Sequence, residues 1–89
     1  LYVESQKHYI YFHLADGGLF RNRSSLEDVQ DQFLQRGFSR INRSIIVNLS
    51  KIDNFTHGDI HIGNETLPLS RVYRARFIAS LNSFLGRGG

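Results

Sequence analysis

The segment from Phe38 to Leu49 constrains the fold of this chain most strongly. It places a short polar group, Arg40-Ile41-Asn42-Arg43-Ser44, directly before the β-branched run Ile45-Ile46-Val47. Because β-branched residues favour strands, we expect the run to be a buried strand and the polar group to lie at a strand end or a sharp bend. Arginine and asparagine side chains held there suit contacts with phosphates and base edges. A polar turn between two strands explains the same residues.

The other apolar stretches are short and are separated by turn residues, which is typical of antiparallel sheets. Asp16-Gly17-Gly18 favours a hairpin turn, because glycine tolerates positive φ. The first twenty-odd residues should therefore form a β-meander. Strands are predicted at residues 1–4, 9–14, 19–23, 45–47, 52–55, 60–62 and 66–69, with residues 5–8 as a polar loop.

Two segments have helical periodicity instead. Leu26, Val29 and Phe33 fall on one helical face after Ser24 and Ser25, which can cap a helix in a Ser-x-x-acid pattern. Gly37 should end that helix. A second helix is expected after Ser70, with a buried stripe at Tyr73, Phe77, Leu81 and Phe84. The predicted fold class is mainly β, with small antiparallel sheets, one short internal helix and a C-terminal helix.

Length and composition limit the alternatives. A chain of 89 residues is expected to form one domain, here residues 1–85, followed by a flexible tail at 86–89. The absence of cysteine excludes disulfides and cysteine-based zinc sites. No apolar run approaches the roughly 20 residues that span a bilayer. Since the first residues already read as a strand, we expect the chain to be a piece of a longer, cytoplasmic protein.

The charges are unevenly distributed. The net charge is only +3, but eight of the eleven lysines and arginines lie in two blocks without acids, residues 36–51 and 70–89. This asymmetry favours a polyanionic partner, most commonly nucleic acid, although two ordinary solvated faces would give the same pattern.

Two other classes of function are compatible with a small basic domain. An enzyme is not expected, because the histidines lack an accompanying carboxylate pair, phosphate loop or nucleophile motif. His57 and His61 supply only two of the four ligands that structural zinc requires, so neither a metal nor a cofactor is predicted. A protein-interaction module is the remaining alternative: a basic loop face could dock an acidic domain, and edge strands would allow β-augmentation.

The order of these motifs resembles the LytTR-type DNA-binding domain found at the C-terminus of many bacterial response regulators. The resemblance covers essentially the whole chain. Its specific part is the block 38–49, supported by Leu1-Tyr2-Val3-Glu4-Ser5, residues 9–16, Ser25-Leu26, Leu67-Pro68-Leu69-Ser70-Arg71 and Tyr73. It implies an elongated arrangement of the sheets and DNA recognition by loops at one sheet edge, which enter successive major grooves.

Three segments match the family's DNA-binding loops. They contain Lys7 and His8; Arg40, Asn42, Arg43 and Ser44; and Ser70 and Arg71. Lys7, Lys51 and Arg74 are expected to contact phosphates. The family often has histidine where Asn42 stands and arginine where Val72 stands, so base reading at the third segment rests more heavily on Arg71.

The sequence therefore predicts sequence-specific binding of double-stranded DNA in bacterial transcription regulation. We expect the chain to be the output domain of a two-component response regulator with an N-terminal receiver domain. Two copies should bind adjacent repeated half-sites as a dimer on DNA. The interaction module without a DNA target of its own stays the alternative.

Overall fold

Strands in the computed structural model, which describes residues 1–86, form two antiparallel sheets. The larger sheet has the order β3-β2-β1-β5-β4, and the smaller sheet has the order β6-β7-β8. The bounds of the larger sheet's strands are β1 Tyr2–Gln6, β2 Tyr9–His13, β3 Leu19–Arg23, β4 Phe38–Asn42 and β5 Ile45–Asn48. Those of the smaller sheet's strands are β6 Ile52–Phe55, β7 Asp59–Ile62 and β8 Glu65–Pro68. Two helices, α1 Leu26–Leu34 and α2 Arg71–Gly86, complete the mainly β fold predicted from the sequence.

The predicted meander of β1, β2 and β3 is confirmed. Gly17 in the second turn has a φ of +89°, as the Asp16-Gly17-Gly18 pattern indicated. The first turn is tighter than expected, because Ser5 and Gln6 continue β1 and only Lys7 and His8 connect it to β2.

The buried strand predicted at 45–47 is β5, and it separates two hydrophobic clusters. Ile45 and Val47 point into the larger cluster, which α2 and the smaller sheet cover, whereas Ile46 points to the cluster under α1. Since successive side chains of a strand face opposite sides, an uninterrupted apolar run is what a strand buried on both faces requires.

Both helices begin as the sequence indicated. The Ser25 hydroxyl accepts a hydrogen bond from the Asp28 backbone N–H at 3.2 Å and caps α1. Helix α1 ends at Leu34, and the backbone N–H groups of Gln35 and Arg36 still donate to the carbonyls of Asp31 and Phe33, directly before the predicted stop at Gly37. Gly37 lies in the following turn, where its φ is +84°.

Helix α2 packs on the larger cluster through part of the predicted stripe. Phe77 is fully buried, and Leu81 and Phe84 are partly buried against the same cluster. Tyr73 is only half-buried. The tail predicted at 86–89 lies outside the described residues except for Gly86, which is the last residue of α2.

The described residues extend over 33 × 25 × 24 Å. No helix among them is long and apolar enough to cross a membrane.

Candidate nucleic-acid interface

Two of the three predicted DNA-binding segments meet at one end of the larger sheet, where strand β1 ends and strand β5 begins. Strand β1 pairs antiparallel with β5, with Glu4 opposite Ile45, so the end of β1 lies beside the beginning of β5. The backbone N–H of Ser5 donates to the carbonyl of Ser44 at 2.7 Å. The Lys7–His8 turn and the Arg43–Ser44 turn are therefore neighbours.

The third segment is attached to the other side of the Arg43–Ser44 turn. The backbone N–H of Ser70 donates to the Ile41 carbonyl at 2.9 Å, and the Asn42 side-chain amide donates to the Pro68 carbonyl at 2.8 Å. These bonds join the beginning of α2 to the end of β4. We call the three adjoining segments, Lys7–His8, Asn42–Ser44 and Ser70–Arg71, the loop rim.

The loop rim has four exposed side chains that can donate hydrogen bonds: Lys7, His8, Arg43 and Arg71. Within residues 1–86 none of the four has a side-chain hydrogen bond or ion pair. Lys7 has a φ of +56°, a left-handed conformation that residues other than glycine rarely adopt. The two-residue turn thus holds a lysine in a costly backbone conformation at the rim, which is common at functional sites.

Arg40 does not join this exposed set. It is 7% exposed, and its guanidinium lies 5.6 Å from the centre of the Tyr73 ring. It donates to the carbonyls of Asn42 (3.1 Å) and Arg43, and to the Gln30 side-chain oxygen (3.1 Å). These acceptors hold the Arg40 guanidinium inside the protein, whereas the sequence predicted that it contacts DNA.

An irregularity in β4 explains the burial of Arg40. The register of β4 against β5 shifts between Arg40 and Asn42, so the strand does not alternate inward and outward residues there. Ser39, Arg40 and Ile41 are consequently all buried.

Arg40 also reaches Glu27 on α1. Its Nη2 lies 3.3 Å from Glu27 Oε1, but the Glu27 side chain is 70% exposed, so water screens this pair. The pKa of the Glu27 carboxyl lies below its usual range. The main cause is a hydrogen bond from its own backbone N–H, and the hydrogen bond and charge of Arg40 act in the same direction.

Asn42 also acts within the protein. While its amide N–H donates to Pro68, its side-chain oxygen accepts from the Ser44 backbone N–H at 2.7 Å. One amide thus shapes the Arg43–Ser44 turn and ties it to β8. The geometry makes Asn42 a residue that positions the loop rim, and this is the position where the resembling family often has histidine.

Two further predicted phosphate contacts are placed differently. Lys51 follows β5 at its far end, where the backbone N–H of Asn48 donates to the carbonyl of Leu1 at 2.9 Å. The length of β1 separates Lys51 from the rim, so the structure does not bring it to the predicted site. Arg74 is one helical turn beyond Arg71, and its Nε donates to the His57 carbonyl at 2.7 Å, leaving its terminal N–H groups available.

Two further cations, outside the segments predicted from the sequence to bind DNA, lie close to the loop rim. In the β2–β3 pairing, Arg23 is opposite Tyr9 and Arg21 is opposite Tyr11, so both arginines share the face of the two tyrosines. The alternation of arginine at positions 21 and 23 was the available signal, because residues two apart on a strand point the same way.

No group of three or more histidine and carboxylate residues in the described part of the chain could hold a metal ion. The loop rim is exposed and carries three cationic side chains with hydrogen-bond donors, Lys7, Arg43 and Arg71. Such a surface suits the binding of a polyanion.

Comparison with known proteins agrees with this chemistry. The model of the LytTr DNA-binding domain family matches residues 1–82. A curated relative from Vibrio cholerae, an uncharacterised response regulatory protein, is 33% identical over 90% of this chain. The chain spans 34% of that relative's length.

A solved structure is also similar. It is the LytTr DNA-binding domain of a Bacillus cereus protein described as a methyl-accepting/DNA response regulator. The two chains are 27% identical with a TM-score of 0.75, and the match covers 90% of this chain and 78% of the other.

The family is one of DNA-binding domains and not of enzymes. This confirms the predicted LytTR resemblance and the prediction that the chain is not an enzyme. A match over residues 1–82 extends through both sheets and most of α2, including all three segments of the loop rim. This chain belongs to the LytTr DNA-binding domain family.

Proposed function

We propose that this domain recognises specific sequences in double-stranded DNA by inserting side chains of the loop rim into the major groove. The observation that carries the proposal is the set of backbone and Asn42 hydrogen bonds that hold the three segments together. They leave Lys7, His8, Arg43 and Arg71 exposed without partners among residues 1–86.

Each exposed side chain suits a different contact. Arg43 and Arg71 can donate two hydrogen bonds to guanine O6 and N7, and each such pair contributes about 1–3 kcal/mol of discrimination against other bases. His8 can donate or accept at a base edge. Lys7 and the free N–H groups of Arg74 are suited to phosphates, which add affinity without sequence preference.

Arg40 and Asn42 have a different role in this proposal. Arg40 donates to the carbonyls of Asn42 and Arg43, and Asn42 accepts from Ser44, so together they fix the turn that presents Arg43. Positioned side chains lose less conformational entropy on binding, which raises affinity without a direct contact. The Ser70 hydroxyl accepts from the Val72 backbone N–H and fixes the beginning of α2 in the same way.

The whole protein is proposed to be a cytoplasmic response regulator. An N-terminal receiver domain would bring two copies together on adjacent repeated half-sites. The support is the similarity to a response regulatory protein of which this chain spans only 34%.

The proposal is tested by selecting sites from a randomised duplex library and measuring affinity for the selected and a scrambled duplex at several salt concentrations. About 4–6 phosphate contacts give a slope of log K against log salt of roughly −4 to −5. Arg43→Ala and His8→Ala should each weaken binding to the selected duplex without changing thermal melting. Lys51→Ala, which removes one charge at the far end of the sheet, is the matched control. Equal affinity for both duplexes at every salt concentration would refute sequence-specific recognition.

A docking function without DNA is the second candidate, because the outer edge of β3 is unpaired among residues 1–86. Leu19 and Phe20 on this strand are 58% and 65% exposed. An exposed edge strand with apolar side chains can accept a strand from another chain. Weak binding of both duplexes with equal affinity would favour this candidate.

A further inference from the structure

Next to the loop rim, one face of β2 and β3 has a group of cationic and aromatic side chains that belong to none of the three rim segments. Tyr9 lies opposite Arg23, and Tyr11 lies opposite Arg21. Residues directly opposite each other in an antiparallel pair point to the same side of the sheet. We call these four residues the Tyr-Arg face.

The Tyr-Arg face is continuous with the loop rim. Gln6 pairs with Tyr9, and the two residues between them are Lys7 and His8. Arg23 therefore lies at the rim end of β3, and Arg21 lies two residues further along the strand. An open groove of about 620 Å³ spans the junction; its lining residues are Gln6, Lys7, His8, Tyr9, Tyr11 and Arg21.

The side chains of this face are arranged to bind an anion. The Arg21 guanidinium lies 4.7 Å above the Tyr9 ring, and the rings of Tyr9 and Tyr11 are 6.4 Å apart. The ring restricts the guanidinium by a cation–π contact but leaves its N–H groups free. Both Arg21 and Arg23 are exposed, and in the part of the chain that the structure describes neither forms an ion pair or a side-chain hydrogen bond.

One acid, Glu4, shares this face of the sheet. Glu4 pairs with Tyr11 across β1 and β2, and its carboxylate oxygen lies 3.3 Å from Nε2 of His13. Lys7, Arg21 and Arg23 therefore leave the groove and its border with an excess of positive charge.

We propose that the Tyr-Arg face is a second, sequence-independent part of the DNA interface, binding backbone phosphates next to the bases that the loop rim reads. This inference rests on the function proposed above. Arginine binds phosphate with two parallel hydrogen bonds, and tyrosine hydroxyls also donate to phosphate oxygens. Residues two apart on a strand are about 6.8 Å apart, a separation similar to that of successive phosphates along one DNA strand. Arg23 and Arg21 thus fit adjacent phosphates of a strand that leaves the rim along β3.

The slope of log K against log salt tests this inference, because each lost phosphate contact makes the slope shallower by about 0.9. We expect Arg21→Ala and Arg23→Ala each to produce that change, and the double variant a change of about 1.8. The ratio of affinities for selected and scrambled duplexes should stay within about twofold, since phosphate contacts carry no base information.

Arg36→Ala is the matched control. Arg36 is exposed and lies before Gly37, whose carbonyl accepts from Leu49 at the end of the sheet far from the rim. This variant loses the same charge, so its slope should equal that of the wild type. Trimming the duplex on the side that contacts β3 should make the wild-type slope shallower and leave the slope of the double variant unchanged.

Two results would overturn the inference. A double variant with the same slope as Arg36→Ala would show that the Tyr-Arg face does not contact DNA. A fall in the ratio of selected to scrambled affinity would show that these arginines read bases. Failure of the proposed function gives a different result from failure of this inference. If the proposed function is wrong, the wild type binds the selected and scrambled duplexes equally. The salt dependence of the variants can still be measured on the scrambled duplex.

Discussion

Replacement of Arg40 by methionine separates a role in folding from a role in DNA contact. Methionine keeps the unbranched apolar stem and removes the guanidinium. The carbonyls of Asn42 and Arg43 and the Gln30 side-chain oxygen then lose their donor. At about 1 kcal/mol for each net hydrogen bond, the three acceptors give a loss of about 3 kcal/mol. The bond to Glu27 adds little, because that carboxylate is exposed to water.

A loss of this size is readily measured. For a domain of 60–100 residues, 1 kcal/mol corresponds to a change in Tm of roughly 4–8 °C, so we expect a fall of roughly 12–24 °C. Urea unfolding followed by circular dichroism should show a lower midpoint with an unchanged m-value. Affinity for the selected duplex, measured where the variant is still folded, should also fall because the Arg43–Ser44 turn is no longer fixed.

Arg43→Met is the matched control, since it makes the same chemical change on an exposed side chain three residues away. Its free energy of unfolding should stay within about 0.5 kcal/mol of the wild type, while its affinity for the selected duplex falls. If Arg40→Met were as stable as the wild type and yet lost DNA binding, the structural role of Arg40 would be refuted. That result would instead support the direct contact between Arg40 and DNA that the sequence predicted.

Three further perturbations have defined outcomes. Phe77→Ala removes a fully buried ring that packs edge-to-face on Phe55 at 5.2 Å; it should cost about 3–5 kcal/mol, and an unfolding midpoint equal to the wild type would contradict the described core. Lys7→Gly relieves a left-handed backbone that costs a non-glycine residue about 1–2 kcal/mol, so Tm should not fall while DNA affinity does; a lower Tm would mean that the lysine side chain supports the fold. The lowered pKa of Glu27 means that the unfolded chain takes up the proton first on acidification. The stabilisation from the ionised Glu27 carboxylate is therefore complete above pH 4.5, the ordinary pKa of a glutamate. It is lost as the pH falls through the lower pKa of the folded state. Urea unfolding of wild type and Glu27→Gln should give a stability difference that is constant near neutral pH and shrinks in acid, and a difference independent of pH would contradict this assignment.

The elements that the sequence predicted correctly depend on interactions between residues close together in the chain. A β-branched run indicates a strand whatever lies across from it, and Ser25 caps α1 through an N–H only three residues away. The glycine turn at Gly17 is equally local. The boundaries were less certain, because the end of β1 at Gln6 is decided by its pairing with Tyr9.

The roles of the polar residues depended on partners distant in sequence. Arg40 and Arg43 are indistinguishable as residue types, yet one is buried against Gln30 and Tyr73 and the other is exposed. Lys51 belongs to the same acid-free block and lies at the far end of β5. Arg23 is brought beside the rim by its pairing with Tyr9, a residue distant in sequence.

By itself, the amino-acid sequence predicted seven of the eight strands, missing β4, and it indicated both helices, the family and the three segments that form the loop rim. Only the tertiary structure decided which side chains of those segments face solvent and which hold the turn in place. The physical reason is that secondary structure follows from local periodicity and turn chemistry. Exposure of a guanidinium is set instead by acceptors from other elements, and pairing of strands and helices brings these together.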